Sequence, residues 1–184
     1  DLYHTFINKM SFSAELSLFI CVLVAIAVPY LLGSLNFGII FSKLFYHDDI
    51  RNYGSKNLGG GNAGRVLGKK AGLAVMALDL LKVTLVVFLA QHFIGTELAA
   101  ICGGLAAAIG HCYPVFANFR GGKAVATMYG FLFGLVVFAS YSPLIFALPM
   151  VVFLLVLYLS KIIALASICD QHSRIPAKLI FPKL

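Results

Sequence analysis

The chain has 184 residues, 61% of them apolar and only 11% charged, with a formal net charge of +7 and a mean hydropathy of +0.96. Soluble domains run at about 45–50% apolar and about 25% charged, which excludes a single water-facing fold for a chain of this size. Lipid has to serve as the solvent.

A helix that crosses the hydrocarbon core needs roughly 20 apolar residues, fewer where polar flanks snorkel. The run Leu16–Leu32 continues through Leu35–Phe45 with only Ser, Asn and Lys interruptions, and reads as one long first span. Ala71–Ile94 is the second. Leu98–Ile109 is short and rich in small residues, among them Gly103, Gly104, Ala106, Ala107 and Ala108, which suits close helix packing in lipid. Ala124–Ala139 and Leu144–Leu159 supply a fourth and fifth span, separated at Ser142-Pro143, and Ile162–Cys169 opens a sixth. The expected fold class is all-α, a polytopic transmembrane bundle of five to six spans, because isolated strands leave unpaired backbone groups in hydrocarbon.

Charge sets the expected topology. Residues 43–70 hold Lys43, Arg51, Lys56, Arg65, Lys69 and Lys70 against Asp48 and Asp49, and residues 118–123 add Arg120 and Lys123. The turn at 91–97 carries Glu97 and no Lys or Arg, and the turn at 140–143 has no charge. Cytoplasmic loops collect Lys and Arg, so both basic loops belong inside and the N-terminus outside. Basic residues beside membrane segments point to anionic lipid or a phosphorylated substrate rather than nucleic acid. Cys21, Cys102, Cys112 and Cys169 form no CxxC pair, and no metal site or disulfide framework is expected.

Polar residues gather in two of the loops. The first is Gly54-Ser55-Lys56-Asn57-Leu58-Gly59-Gly60-Gly61-Asn62-Ala63-Gly64-Arg65. Glycine lets successive N–H groups turn inward as a nest for an anion. Arg65 offers a fork that fits phosphate, and Ser55, Asn57 and Asn62 offer further hydrogen bonds. The same composition also describes a plain flexible connection between spans. Gly59-x-Gly61-x-x-Gly64 fits a dinucleotide fingerprint, with Asp79 about 20 residues on, but no strand precedes it and Asp79 lies in an apolar span, so that reading is rejected.

The second cluster runs from His111 to Lys123, with Pro114 ahead of an aromatic stretch and Arg120-Gly121-Gly122-Lys123 just before the fourth span. Cations and glycine amides at a helix N-terminus suit a phosphate, and ordinary membrane-edge cations fit the same residues. His111 has no partner visible in the sequence. Asp79 and Lys82 lie about one helical turn apart in the second span and read as a structural ion pair.

These two loops resemble those of the bacterial acyl-phosphate:glycerol-3-phosphate acyltransferases. The first family motif, G-S-x-N-x-G-x-x-N-x-x-R, is matched at Gly54, Ser55, Asn57, Gly59, Asn62 and Arg65. The second, H-x-x-P-V-F-x-x-F-[KR]-G-G-K-x-V-A-T, is matched from His111 to Thr127. The resemblance runs from about Met10 to about Ser167. It implies transfer of an acyl group from acyl phosphate to glycerol 3-phosphate at a bacterial inner membrane, with membrane lipid as partner and without cofactor, metal or carrier protein. It also implies Ser55, Arg65 and Lys123 as catalytic residues, and Asn57, Gly59, Asn62, Arg120, Gly121 and Gly122 as substrate-binding ones. On this reading residues 1–9 are an extraneous leader, 10–169 the membrane acyltransferase domain, and 170–184 a tail without the family's third motif, produced by truncation or a frameshift. Two rival readings stand beside it: a small transporter whose basic loops hold an anion in transit, which no internal repeat supports, and an inactive acyltransferase remnant, which the unusual tail suggests.

Overall fold

The structure, a computed structural model, describes residues 2–159, with side chains for residues 14–158 apart from Leu18. The expected sixth segment and the tail lie outside the described residues. Every regular element among the described residues is helical, as composition and the cost of open backbone in lipid require. The α-helices are α1 (Leu2–Ser34), α2 (Phe37–Tyr46), α3 (Gly60–Val66), α4 (Lys69–Phe93), α5 (Glu97–Cys112), α6 (Val125–Phe138) and α7 (Leu144–Leu159). Short 3-10 turns at Ile50–Asn52 and Val115–Ala117 sit in the two polar loops.

Among the described residues, three stretches are long and apolar enough to cross a membrane: Ala14–Tyr46, Lys69–Phe93 and Glu97–Ala117. The helices α6 and α7 are apolar but shorter, with 14 and 16 residues. At 1.5 Å per residue α6 is only about 21 Å long, less than the roughly 30 Å hydrocarbon core.

The first apolar run is not one continuous helix. It stops at Ser34, Asn36 is extended (φ −108°, ψ 106°), and α2 starts anew at Phe37. Two contacts accompany the end of α1. Ser34 Oγ donates to the Tyr30 carbonyl at 2.8 Å, and the Leu35 carbonyl accepts from the Lys82 ammonium at 2.6 Å. An apolar count sees neither, since one is a local side-chain bond and the other comes from a different helix.

The long helix α4 is the centre of the bundle, packing against α1, α2, α3, α5 and α6. Val83, Val86 and Val87 of α4 form its core with Ala100 and Ala107 of α5 and Phe131 and Leu135 of α6. Small residues bring the backbones together. A Cβ at Gly33 would lie 2.0 Å from the Ala107 carbonyl oxygen, and one at Gly130 would lie 2.1 Å from that of Leu80. The small-residue reading of the third segment therefore holds: Gly103, Gly104, Ala106, Ala107 and Ala108 are all buried.

A second apolar cluster supports the site. Ile50, Leu58, Ala63, Val66, Leu67 and Val75 pack together with Ala117, so the two polar loops share one small core. Arg51 ties them further, gripping Asp49 in an ion pair and donating from Nη1 to the Ala117 carbonyl at 2.9 Å. The Arg51 guanidinium holds the Asp49 carboxyl below its usual value.

Candidate active site

The glycine-rich segment, expected as a nest, is mostly a helix. Gly59 caps α3, and Gly60 lies so close to α4 that an added Cβ would be 2.1 Å from Met76 Cγ and 2.7 Å from the Gly72 carbonyl oxygen. The glycines thus let a short helix lie against a long one. This places Arg65, in the last turn of α3, beside the first turns of α4.

Asn62 locks the turn that precedes α3. It is 2% exposed. Its Oδ1 accepts the Ser55 N–H at 2.9 Å, while Nδ2 faces the carbonyls of Ile50, Tyr53 and Asn57 at 3.3, 3.1 and 2.9 Å. An amide NH2 has two hydrogens, so these acceptors saturate it. Asn57 accepts the Gly59 N–H through Oδ1 at 2.9 Å. Ser55 is held by its backbone, and its hydroxyl makes no hydrogen bond among the described residues.

The second loop folds back on the end of α5. Gly121 N–H donates to the Cys112 carbonyl at 3.1 Å and Gly122 N–H to the His111 carbonyl at 3.0 Å. An added Cβ would lie 2.1 Å from the His111 carbonyl oxygen at Gly121 and 2.1 Å from His111 Nε2 at Gly122. Only glycine fits there. After this clasp Lys123 emerges, and Ala124 (φ 57°) opens α6.

These elements enclose a cavity of about 610 Å³. Its lining holds the polar residues Ser55, Asn57, Asn62, Arg65, Lys123, Asp79 and His111, together with Gly59–Gly61 and Ala124–Ala126. The first amides of a helix lack intrahelical acceptors, and the first residues of α6, Val125 and Ala126, line the same cavity as Lys123. The same lining includes the apolar side chains of Leu73, Met76, Leu80, Met150 and Phe153, and Tyr129. A space lined by both cations and apolar side chains can take a phosphate and a hydrocarbon chain. Asp79 and His111 reach it from α4 and α5. Beside them Lys82 Nζ lies 2.8 Å from Asp79 Oδ1 and 3.0 Å from His111 Nδ1.

The sequence model of the glycerol-3-phosphate acyltransferase family matches residues 23–180. The chain belongs to this family. A glycerol-3-phosphate acyltransferase of Bacillus cereus (strain G9842) is 48% identical over 153 residues, covering 83% of this chain and 74% of that protein. One from Streptococcus pyogenes serotype M5 (strain Manfredo) is 41% identical over 162 residues, covering 88% and 73%. Among solved structures, the glycerol 3-phosphate form of PlsY, an integral membrane glycerol 3-phosphate acyltransferase, superposes with a TM-score of 0.66 at 38% identity, covering 80% of this chain and 70% of that one. The lysophosphatidic acid form of PlsY gives a TM-score of 0.55 at 31% identity, covering 86% and 91%.

For this acyltransferase-family chain, the structure brings Ser55, Asn57, Gly59, Asn62, Arg65 and Lys123 to one cavity. It departs from the sequence reading in three places. Arg120 is exposed and does not line the cavity. The amides of Gly121 and Gly122, expected to meet phosphate, are committed to carbonyls of α5. Asn62 lines the cavity, but its polar atoms hold the loop rather than face a ligand. The expected Asp79–Lys82 ion pair is present, at 2.8 Å, and Lys82 extends it to His111. No single-sequence signal pairs His111 with Lys82, because their meeting depends on how α4 and α5 pack.

Proposed function

We propose that this chain transfers a fatty acyl group from an acyl phosphate to the 1-hydroxyl of glycerol 3-phosphate, giving 1-acylglycerol 3-phosphate (lysophosphatidate) and phosphate in phospholipid synthesis. The observation that carries this reading is that Arg65 and Lys123 line one cavity together with apolar residues such as Leu73, Met76, Met150 and Phe153. Its support among relatives is that PlsY structures represent a glycerol 3-phosphate form and a lysophosphatidic acid form.

In the reaction, the hydroxyl oxygen of glycerol 3-phosphate bonds to the acyl carbon, the bond from that carbon to the phosphate oxygen breaks, and the hydroxyl proton ends on the departing phosphate. Acyl phosphate is an activated donor, so placing the partners and stabilising developing charge accounts for catalysis. Arg65 and Lys123, with the first amides of α6, hold phosphate oxygens. Ser55 and Asn57 orient the glycerol moiety or the leaving phosphate. Ser55 acts by hydrogen bonding rather than as a nucleophile, since no described His or Asp is bonded to its hydroxyl to activate it. The acyl chain lies along Met76, Tyr129, Met150 and Phe153. Both loops face the cytoplasm and the N-terminus lies outside, following the distribution of Lys and Arg.

Purified protein in detergent, given palmitoyl phosphate and glycerol 3-phosphate, is expected to release phosphate and form lysophosphatidate. Arg65→Ala and Lys123→Ala each lower that rate by at least about tenfold. Anion flux into liposomes without any lysophosphatidate would overturn the reading in favour of transport.

A further inference from the structure

Lys82 belongs to α4 and is buried, with 8% of the residue exposed. It meets three acceptors: the Leu35 carbonyl at 2.6 Å, Asp79 Oδ1 at 2.8 Å and His111 Nδ1 at 3.0 Å. An ammonium has three N–H donors and no acceptor. These contacts saturate it, and His111 Nδ1 is left with the accepting role. Asp79 Oδ1 is 3.6 Å from the same ring nitrogen, too far for a hydrogen bond, so the carboxylate does not call a proton onto Nδ1.

The ring proton therefore belongs on Nε2. That nitrogen faces Gly122, where an added Cβ would be 2.1 Å away. Gly122 directly precedes Lys123, and His111 and Lys123 border the same cavity. The ring cannot swing aside easily. Lys82 holds Nδ1, and the His111 carbonyl is tied to Gly122 N–H at 3.0 Å.

We propose that His111 is a further substrate-binding residue, a fixed Nε2–H donor to an oxygen of the phosphate that Lys123 grips, and that Lys82 and Asp79 are positioning residues that set its tautomer. This rests on the acyltransferase reading. It assigns His111 the role of donor rather than base, because a protonated Nε2 has no lone pair to take a proton from the glycerol hydroxyl. It also explains a costly feature. Ionised groups inside a membrane span are expensive, and here Asp79 and Lys82 neutralise each other while Lys82 also caps α1 and orients the imidazole.

The test uses the full chain in detergent with histidine ring nitrogens labelled by 15N. His111, identified by loss of its signals in His111→Ala, should show a protonated Nε2 and an unprotonated Nδ1. Lys82→Met, which keeps the stem and removes the donor, should give a mixture of both tautomers. A wild-type spectrum with a protonated Nδ1, or with rapid averaging of the two nitrogens, overturns the proposal. Glycerol 3-phosphate alone, then palmitoyl phosphate alone, should identify by a shift of the Nε2 signal which phosphate is bound; a shift with neither overturns the donor role.

Rate measurements add an independent arm. The His111→Gln side chain places an amide N–H near the Nε2 position and should keep activity within about tenfold of wild type, whereas His111→Ala loses about a hundredfold. Equal loss in both variants overturns the donor role. Absence of lysophosphatidate from the wild type would count against the acyltransferase reading alone, because the ring spectra require no turnover.

Discussion

Asn62 offers the sharpest separation between holding the loop and holding the substrate. In Asn62→Asp the volume is kept, but the NH2 that faces the Ile50, Tyr53 and Asn57 carbonyls at 3.3, 3.1 and 2.9 Å becomes an oxygen. Asn62→Ala removes the donors and also the acceptor of the Ser55 N–H. The Ser55 amide can regain water because Ser55 is exposed, whereas Ile50 is 1% exposed and its carbonyl has little access to any. A buried group left unpaired costs about 1–3 kcal/mol, so opening the loop should become easier by about 2–4 kcal/mol in Asn62→Ala. At about 1.4 kcal/mol per tenfold, that is roughly thirtyfold to several hundredfold. Hydrogen exchange read by mass spectrometry over residues 54–66 should show protection falling by this factor, with α5 unchanged. Asn62→Asp should fall further, since its carboxylate faces the same carbonyls. Unchanged protection in Asn62→Ala, together with lost acyl transfer, would refute the loop-holding role and return Asn62 to direct contact with substrate.

Gly130→Ala should lower the melting temperature in detergent, because its Cβ would press to 2.1 Å from the Leu80 carbonyl oxygen; a cost of about 1–3 kcal/mol is expected, and an unchanged melt would deny close α4–α6 contact. Gly122→Ala should raise the KM for glycerol 3-phosphate more than it lowers kcat, by pushing the second loop off His111 and moving Lys123. The Asp49 carboxyl is held below its ordinary value of 3.8, chiefly by its hydrogen bonds from the Arg51 side chain. Because the folded value is depressed, its stabilising contribution is complete above the unfolded value and is lost as pH falls through the folded one. The stability difference between wild type and Asp49→Asn should therefore be constant near neutrality and shrink below about pH 4; a difference that instead grows with acid would reverse the assignment.

Much of this protein was legible in its sequence because the solvent is so demanding. An apolar composition in a short chain, with helical segments divided by basic loops, leaves little choice of fold class. The motif residues Ser55, Asn57, Gly59, Asn62, Arg65 and Lys123 also stand out, since cations, amides and glycines are rare in such a chain and cluster in two places. Local pattern could not assign each its task. Glycines read as an anion nest proved to let α3 lie on α4, and those read as phosphate donors proved to clasp α5.

The tertiary structure decided the rest. Whether a backbone amide meets phosphate or a neighbouring carbonyl depends on which helix lies within 3 Å, and that is settled by packing between segments far apart in the chain. The break after Ser34 has the same origin, because the ammonium that accompanies it comes from α4. So does the orientation of His111, which needs α1, α4 and α5 in place together before its ring has a defined partner. Partition between water and lipid is a property of each residue and can be read one segment at a time; hydrogen-bond pairing is a property of neighbours and exists only once the bundle has closed.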